Sequence, residues 1–192
     1  GTTRSEVLAS LMPRDCLERR LTMFKDAGLE PRVVASPVGS LMELLPPEHA
    51  DRAAVLSMGH TEAHLALISN ATLRSARTMR LGTRKLEKDL AKLLGISEAH
   101  AADYWRRIGL GDGDGTMDPG DVVRIQHAVR TALKGLASHL FTTFKALPDA
   151  LMPETIYVTG DIAALDGICG FLSEALEVNV VELNLKESLE GF

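Results

Sequence analysis

The sequence is poor in cysteine and in aromatic residues, and it contains no long apolar segment. Its two cysteines, Cys16 and Cys169, lie far apart without a second pair at metal-ligand spacing, which argues against a disulfide framework and a zinc site. No apolar run approaches the roughly 20 residues that span a bilayer. No basic block is present, and the formal charge is -5. We therefore expect a protein of the reducing cytoplasm that neither crosses a membrane nor binds nucleic acid.

Hydrophobic side chains make up 45% of the 192 residues, which is enough to build a core. The first part of the chain predicts a helix over residues 15–27 that Gly28 ends, because apolar residues recur on one face. A β-branched pair, Val33 and Val34, precedes a second apolar helical stretch over residues 37–45. The following prolines at 46 and 47 force an extended connection, so we predict a domain boundary there.

Strand patterns follow that boundary. Residues 53–57, 63–68 and 72–81 are separated by short turns and predict a three-stranded antiparallel meander. The next segments are helical: one helix ends at Gly95, and another begins after Ser97, a typical N-cap.

A polar loop over residues 111–120 precedes a long helix over 121–144 with apolar residues at three- and four-residue steps. The end of the chain predicts a βαβ unit, with strands over 155–159 and 178–183 and a glycine turn at Gly160. The helix between these strands carries Leu165, Ile168, Leu172 and Leu176 on one face.

This order of elements is similar to the second lobe of actin-like ATPases, which have an α/β, ribonuclease-H-like fold. Three stretches resemble the PilM family of type IV pilus assembly proteins: residues 17–45, residues 55–61 with 77–82, and residues 156–167. The resemblance implies that residues 1–46 are a remnant of the first lobe with its linking helix. Residues 47–192 would then form the second lobe, with a helical insertion over about 83–120.

The resemblance also implies a nucleotide site built from two turns. Its cofactor-binding positions would be Ser57, Gly59, His60 and Thr61 on the second phosphate hairpin, and Gly160 and Asp161 on the adenosine side. Two of them depart from the family pattern: Ser57 stands where an aspartate organises metal and water, and Asp161 replaces a second glycine. We therefore expect a degenerate site with no catalytic residue and no cofactor of its own. ATP with magnesium would bind only in a longer protein that supplies the first phosphate loop.

The function that the resemblance implies is a cytoplasmic scaffold of a type IV pilus or related secretion machine. Its partner would be the cytoplasmic tail of an inner-membrane pilus or secretion protein, so that the scaffold reaches the membrane only through that partner. Self-association is a further option. The alternative is an active actin-like or sugar-kinase-like nucleotide-binding enzyme whose N-terminal half is missing here, since the chain begins where the family is about half complete.

Two polar clusters allow other interpretations. Asp112, Asp114, Asp118 and Asp121 stand in ligand positions of a calcium loop, which would make the chain a calcium-responsive module. The first ligand position holds Leu110, however, and the bidentate glutamate is absent, so a solvated turn that caps the long helix is the preferred interpretation.

His60, Glu62 and His64 alternate and could place three metal ligands on one strand face. The spacing lacks the helical pattern of zinc proteases, and a partly solvated strand face explains it better. Tyr104 and Trp105 could form a binding patch on the insertion, but core packing is the preferred role for such aromatics.

Overall fold

A computed structural model describes residues 11–45, 47–111 and 115–183 of the chain. Six α-helices and five strands run through these ranges. The helices are α1 (Arg14–Asp26), α2 (Pro37–Ser40), α3 (Thr83–Leu94), α4 (Glu98–Arg107), α5 (Pro119–Lys145) and α6 (Ile168–Leu176). The strands are β1 (Ala53–Met58), β2 (Ala63–Ser69), β3 (Thr72–Met79), β4 (Thr155–Gly160) and β5 (Asn179–Glu182).

The five strands form one mixed sheet in the order β3-β2-β1-β4-β5. β1, β2 and β3 pair antiparallel because short turns join them, whereas β4 pairs parallel to β1 and β5 pairs parallel to β4 across helical connections. The structure thus confirms both the predicted meander and the predicted βαβ unit. Leu165, which was expected on the helix of that unit, instead lies before α6 at the end of a 3-10 turn. The structure also shows that β4 joins the sheet beside β1 and not at its edge.

Both faces of the sheet are covered, which is why β1 and β2 are almost wholly buried. The larger core lies on the side of α3, α4, α5 and α6 and contains alternate β1 residues such as Leu56 and Met58. The smaller core lies on the opposite side, where Val38, Leu41 and Leu45 cover Val55 and its neighbours. Residues 37–45 are therefore packed on the sheet, and the boundary at residues 46–47 stays a prediction.

Helices α3 and α4 begin and end as their sequences predict. Gly95 takes the left-handed conformation that ends α3, with φ at +69°. The hydroxyl of Ser97 caps α4 by accepting a hydrogen bond from the amide of His100. Trp105 is fully buried and Tyr104 packs against the larger core, so the core role of these aromatics is confirmed.

The segment before α2 departs from expectation in its packing. Helix α1 forms and ends near Gly28 as predicted, yet none of its residues is buried, and Leu21 and Phe24 are 36% and 46% exposed. Val33 and Val34 belong to no strand, because no neighbouring strand lies beside them in the described residues, and they are 80% and 56% exposed. Across the described ranges, every helix is too short or too polar to span a bilayer.

Candidate functional site at the ends of β1 and β4

The carboxyl ends of β1 and β4 bring together the two turns that the sequence singled out. The strands run parallel, and their register pairs Ser57 with Thr159 and Met58 with Gly160. The hairpin turn that follows β1 and the 3-10 turn Asp161–Ala164 that follows β4 therefore start side by side. In sheets with parallel strands, ligands bind at this end. All six predicted cofactor-binding residues lie on these strand ends and turns.

The glycine that ends β4 is required by its surroundings. Gly160 has φ at +82°, and a Cβ placed on it would come within 2.6 Å of the carbonyl oxygen of Met58. A larger residue would therefore push β4 away from β1 and strain the backbone. Asp161 follows with an exposed side chain, whereas Ile162 is fully buried and fixes the turn on the core. The structure thus places a carboxylate at the mouth of this turn.

The hairpin after β1 is held by the first turn of α3. The amide of Thr83 donates to the carbonyl of Gly59 at 3.1 Å, and the amide of Arg84 donates to that of His60 at 2.9 Å. The first amides of a helix have no partner within the helix and commonly bind anions. Here two of them are occupied by protein carbonyls. The hairpin is consequently anchored, and these two amides are not available to a phosphate.

Gly82 makes this anchoring possible and was not singled out as a site residue from the sequence. A Cβ at Gly82 would meet the carbonyl oxygen of His60 at 2.3 Å, so only glycine allows α3 to start this close to the hairpin. Position 59 does not require glycine for steric reasons, because the nearest atom to a Cβ placed on Gly59 is 3.8 Å away. The signal in the sequence was a glycine directly before a helix, which is also typical of an ordinary N-terminal cap.

A buried carboxylate, Glu87 of α3, lies behind the hairpin. The sequence pattern did not identify it as a site residue. Its side chain is 7% exposed. Trp105 donates its indole N–H to Oε1 of Glu87 at 3.3 Å, and Arg106 approaches the same oxygen at 3.5 Å. Nδ1 of His60 lies 4.0 Å from Oε2. The carboxylate thus joins the hairpin, α3 and α4 through polar contacts.

Comparison with known proteins rests on structure, since no family model and no curated protein matches the sequence. The fold is similar to a solved PilM-PilN type IV pilus biogenesis complex, with a TM-score of 0.73 and 23% identity over 93% of this chain and 52% of that chain. It is similar to MreB5 of Spiroplasma citri bound to ADP, with a TM-score of 0.71 and 15% identity over 94% of this chain and 65% of that one.

A third similar structure is the ethanolamine utilization protein EutJ from Carboxydothermus hydrogenoformans, with a TM-score of 0.64 and 20% identity over 84% of this chain and 54% of that chain. The chain has the actin-like ATPase fold. It spans only about half to two thirds of the length of these actin-like structures. The expected fold class and the resemblance to actin-like ATPases are therefore confirmed.

The sequence resemblance assigned Ser57 to a hairpin position where an aspartate is expected. Ser57 is half-buried at the end of β1, on the same sheet face as Val55, and pairs across the ladder with His64. A serine hydroxyl there has neither the charge nor the basicity of a carboxylate. The nucleotide contacts assigned to Ser57 and the other five turn residues remain predictions.

The alternating His60, Glu62 and His64 do not come together as a ligand set. His60 lies at the hairpin tip near Glu87, whereas His64 lies on β2 with its Nδ1 3.1 Å from the hydroxyl of Thr78. No group of three metal-binding side chains occurs in the part of the chain that the structure describes.

Two members of the acidic loop have defined partners. Asp118 caps α5 by accepting a hydrogen bond from the amide of Gly120 at 2.8 Å, and Asp121 pairs with Arg124 at 3.2 Å. Asp112 and Asp114 lie outside the described residues. The helix-capping role that the sequence favoured is thus present at Asp118.

The half-buried Cys169 of α6 has the chemistry of a structural thiol. Burial raises its pKa, and the nearby carboxylate of Glu182 raises the pKa further. The thiol is therefore protonated at neutral pH and is a poor nucleophile.

Proposed function

We propose that this chain is the second lobe, with a remnant of the first, of an actin-like scaffold protein that assembles with an inner-membrane component of a pilus or related secretion machine. In this proposal residues 1–46 belong to the first lobe and its linking helix. Residues 47–192 form the second lobe, and residues 83–120 form an insertion in it. The protein works in the cytoplasm and reaches the membrane through its partner.

The observation that carries the proposal is the similarity to the PilM-PilN complex over 93% of the chain. That solved structure is a type IV pilus biogenesis assembly, so its actin-like component acts together with another protein. In this proposal the mixed sheet, the helical insertion and the long helix α5 together form the second lobe. An assembly role is therefore the function we assign first.

The geometry of the strand ends supports a scaffold over an ATPase. A nucleotide at this edge would meet the carboxylate of Asp161 and would find no carboxylate at position 57 to hold a metal ion. The amides of Thr83 and Arg84 are already bonded to the hairpin, which removes two donors from any phosphate. The Asp161 carboxylate and the occupied amides lower affinity for an anionic ligand, and the absence of a carboxylate at position 57 weakens binding of the accompanying metal ion.

Partner capture by the complete gene product tests the scaffold proposal. The product would be purified under native conditions from detergent-solubilised cells, and its partners identified by mass spectrometry. We expect a single-span inner-membrane protein with a short cytoplasmic tail, and we expect a synthetic peptide of that tail to compete for binding. Residues 1–192 alone serve as the matched control and should bind the tail poorly, because in PilM-like proteins the peptide trough belongs to the first lobe. Recovery of soluble metabolic enzymes alone would contradict the proposal.

The alternative is an active nucleotide-binding enzyme, which the adjacency of the two strand-end turns favours. Solved actin-like relatives of this chain contain ADP or AMPPNP. Calorimetric titration of residues 1–192 with ATP and magnesium separates the two candidates. We expect no saturable heat, whereas a dissociation constant near 1 μM, about -8 kcal/mol of binding free energy, would establish a working nucleotide site. Replacing Ser57 by aspartate would then be expected to raise the affinity for the magnesium complex.

A further inference from the structure

The outer edge of β3 is open. β3 covers eight residues at one end of the sheet, and it pairs with β2 on one side only. Within the described residues, no backbone group of another segment bonds to residues 73–80 from the outside. Such an edge presents a row of free amide and carbonyl groups that can bind another extended chain.

Three arginines follow this edge. Arg74, Arg77 and Arg80 are all exposed, and none has an ion-pair partner in the described part of the chain. The protein as a whole carries a formal charge of -5, so this strip has the opposite sign to the net charge of the chain. Lysine is the usual residue that protects an edge from aggregation. Arginine presents a planar fork of donors that fits carboxylates, which indicates recognition.

A groove runs between β3 and the long helix α5 beside this edge. It has a volume of about 450 Å³ and is lined by Arg77, Thr78, Met79, His139, Thr142 and Thr143. The lining contains a guanidinium, an imidazole and hydroxyl groups, and it contains no carboxylate. Two of these hydroxyls are already engaged: that of Thr142 donates to the carbonyl of Ser138, and that of Thr78 lies 3.1 Å from Nδ1 of His64. The remaining donors favour an acidic side chain as the occupant of the groove.

We propose that the edge of β3 binds an extended acidic segment of a partner protein, which adds to the sheet as another strand and places a carboxylate on Arg77 in the groove. Main-chain hydrogen bonds to β3 supply affinity, and the arginines select acidic side chains. A second copy of this chain is a poor occupant, because pairing β3 with β3 would bring two rows of arginines together. The surface lies on the second lobe and is independent of the partner-binding trough assumed above for the first lobe.

A labelled peptide tests the charge requirement. The probe is a fluorescein-labelled octapeptide that alternates glutamate with valine, and its binding to residues 1–192 is measured by anisotropy. We expect Arg77→Glu to weaken binding by about tenfold or more, because it replaces an ion pair by a repulsion. Arg20→Glu on α1 makes the same charge change at an exposed site away from the sheet, and we expect it to change binding less than about twofold. Circular dichroism of both variants confirms that they are folded.

N-methylation of the peptide tests strand addition itself. Two versions of the probe are used: one is methylated on every second backbone nitrogen, and the other is methylated on the remaining ones. Both versions keep every carboxylate. Only one version should lose binding, because alternate amides of an added strand face β3. Hydrogen exchange should slow at alternate amides of β3 when the unmodified probe binds.

Several results would overturn the proposal. These are an equal loss of binding by both methylated probes, an unchanged affinity of Arg77→Glu for the unmodified probe, and no binding at a millimolar concentration of that probe. A single-stranded oligonucleotide that competes as well as the peptide would show a nucleic-acid surface instead. Dimerisation of residues 1–192 that competes with binding of the unmodified probe would assign the edge to a second copy.

Discussion

Helices α1 and α3 have similar hydrophobic patterns, but only α3 is packed in the core. α1 has 13 residues and α3 has 12, both carry an apolar stripe, and both are followed by a glycine with φ near +70°. α3 buries Leu86, Leu90 and neighbouring residues against the sheet and α5, whereas α1 buries none of its residues. The comparison teaches that an amphipathic pattern predicts a helix without predicting the surface that will cover it.

Truncating one leucine in each helix should give the largest difference. Leu90 is fully buried, so Leu90→Ala removes packed methyl groups and leaves a cavity that costs about 3 kcal/mol of unfolding free energy. Leu21 is 36% exposed, and Leu21→Ala should cost less than about 0.5 kcal/mol. Urea unfolding monitored by Trp105 fluorescence measures both values. Equal losses would mean that α1 packs on the body of the protein in solution.

The acidic residue of each helix provides the next test. Glu87→Ala leaves the buried indole N–H of Trp105 without its acceptor, and we expect a loss of about 2 kcal/mol. Glu18 of α1 forms a solvent-exposed ion pair with Arg14, and 65% of the Glu18 side chain is exposed. Glu18→Ala should therefore change the free energy of unfolding by less than about 0.5 kcal/mol.

Glu87→Gln refines the same test, since it keeps an acceptor for Trp105 and removes the charge near Arg106. It should cost less than Glu87→Ala in the same urea titration. If the glutamine variant loses as much as the alanine variant, the charge and not the hydrogen bond is the important property of Glu87.

Substituting the glycine that follows each helix should distinguish an effect on global unfolding from an effect on the helix alone. Gly28 and Gly95 have φ at +73° and +69°, and a Cβ would meet no atom within 4 Å at either site. Alanine at either position therefore costs about 1 kcal/mol through backbone strain alone. We expect Gly95→Ala to lower the global unfolding free energy and Gly28→Ala to lower only the helicity of α1. A shift of the urea midpoint in Gly28→Ala would show that α1 unfolds together with the core.

The smallest expected effect concerns the two cysteines. Cys169 has a raised pKa in the folded chain, so its protonated form is favoured by folding. The corresponding stability is complete below the ordinary thiol pKa of about 8.5 and is lost as the pH rises through the higher folded value. Cys169→Ser should reduce the decline of the urea midpoint between about pH 8 and pH 10. Cys16→Ser on α1, which buries none of its residues, is measured in parallel as the matched control.

The positions of the two turns could be read from the sequence because they depend on local signals. A glycine after a β-branched strand marked Gly160, and a short polar stretch between two strands marked the hairpin. The roles of Gly82 and Glu87 could not be read in this way. Gly82 matters because it contacts the backbone of His60, 22 positions earlier along the chain, and Glu87 matters because it contacts Trp105 of another helix. Neither contact leaves a local pattern.

The sequence by itself determined most of the helices and strands, the end of α3 at Gly95, the cap of α4 at Ser97 and the antiparallel meander, since periodicity, glycine and N-cap residues act over a few neighbouring positions. Tertiary structure decided which stripes are buried, that β4 lies beside β1, and that Ser57 and Thr159 share one edge of the sheet. It also left α1 and the outer edge of β3 uncovered in the described residues. The physical reason is that burial and strand pairing join residues distant in sequence, and one amphipathic pattern is compatible with many partners.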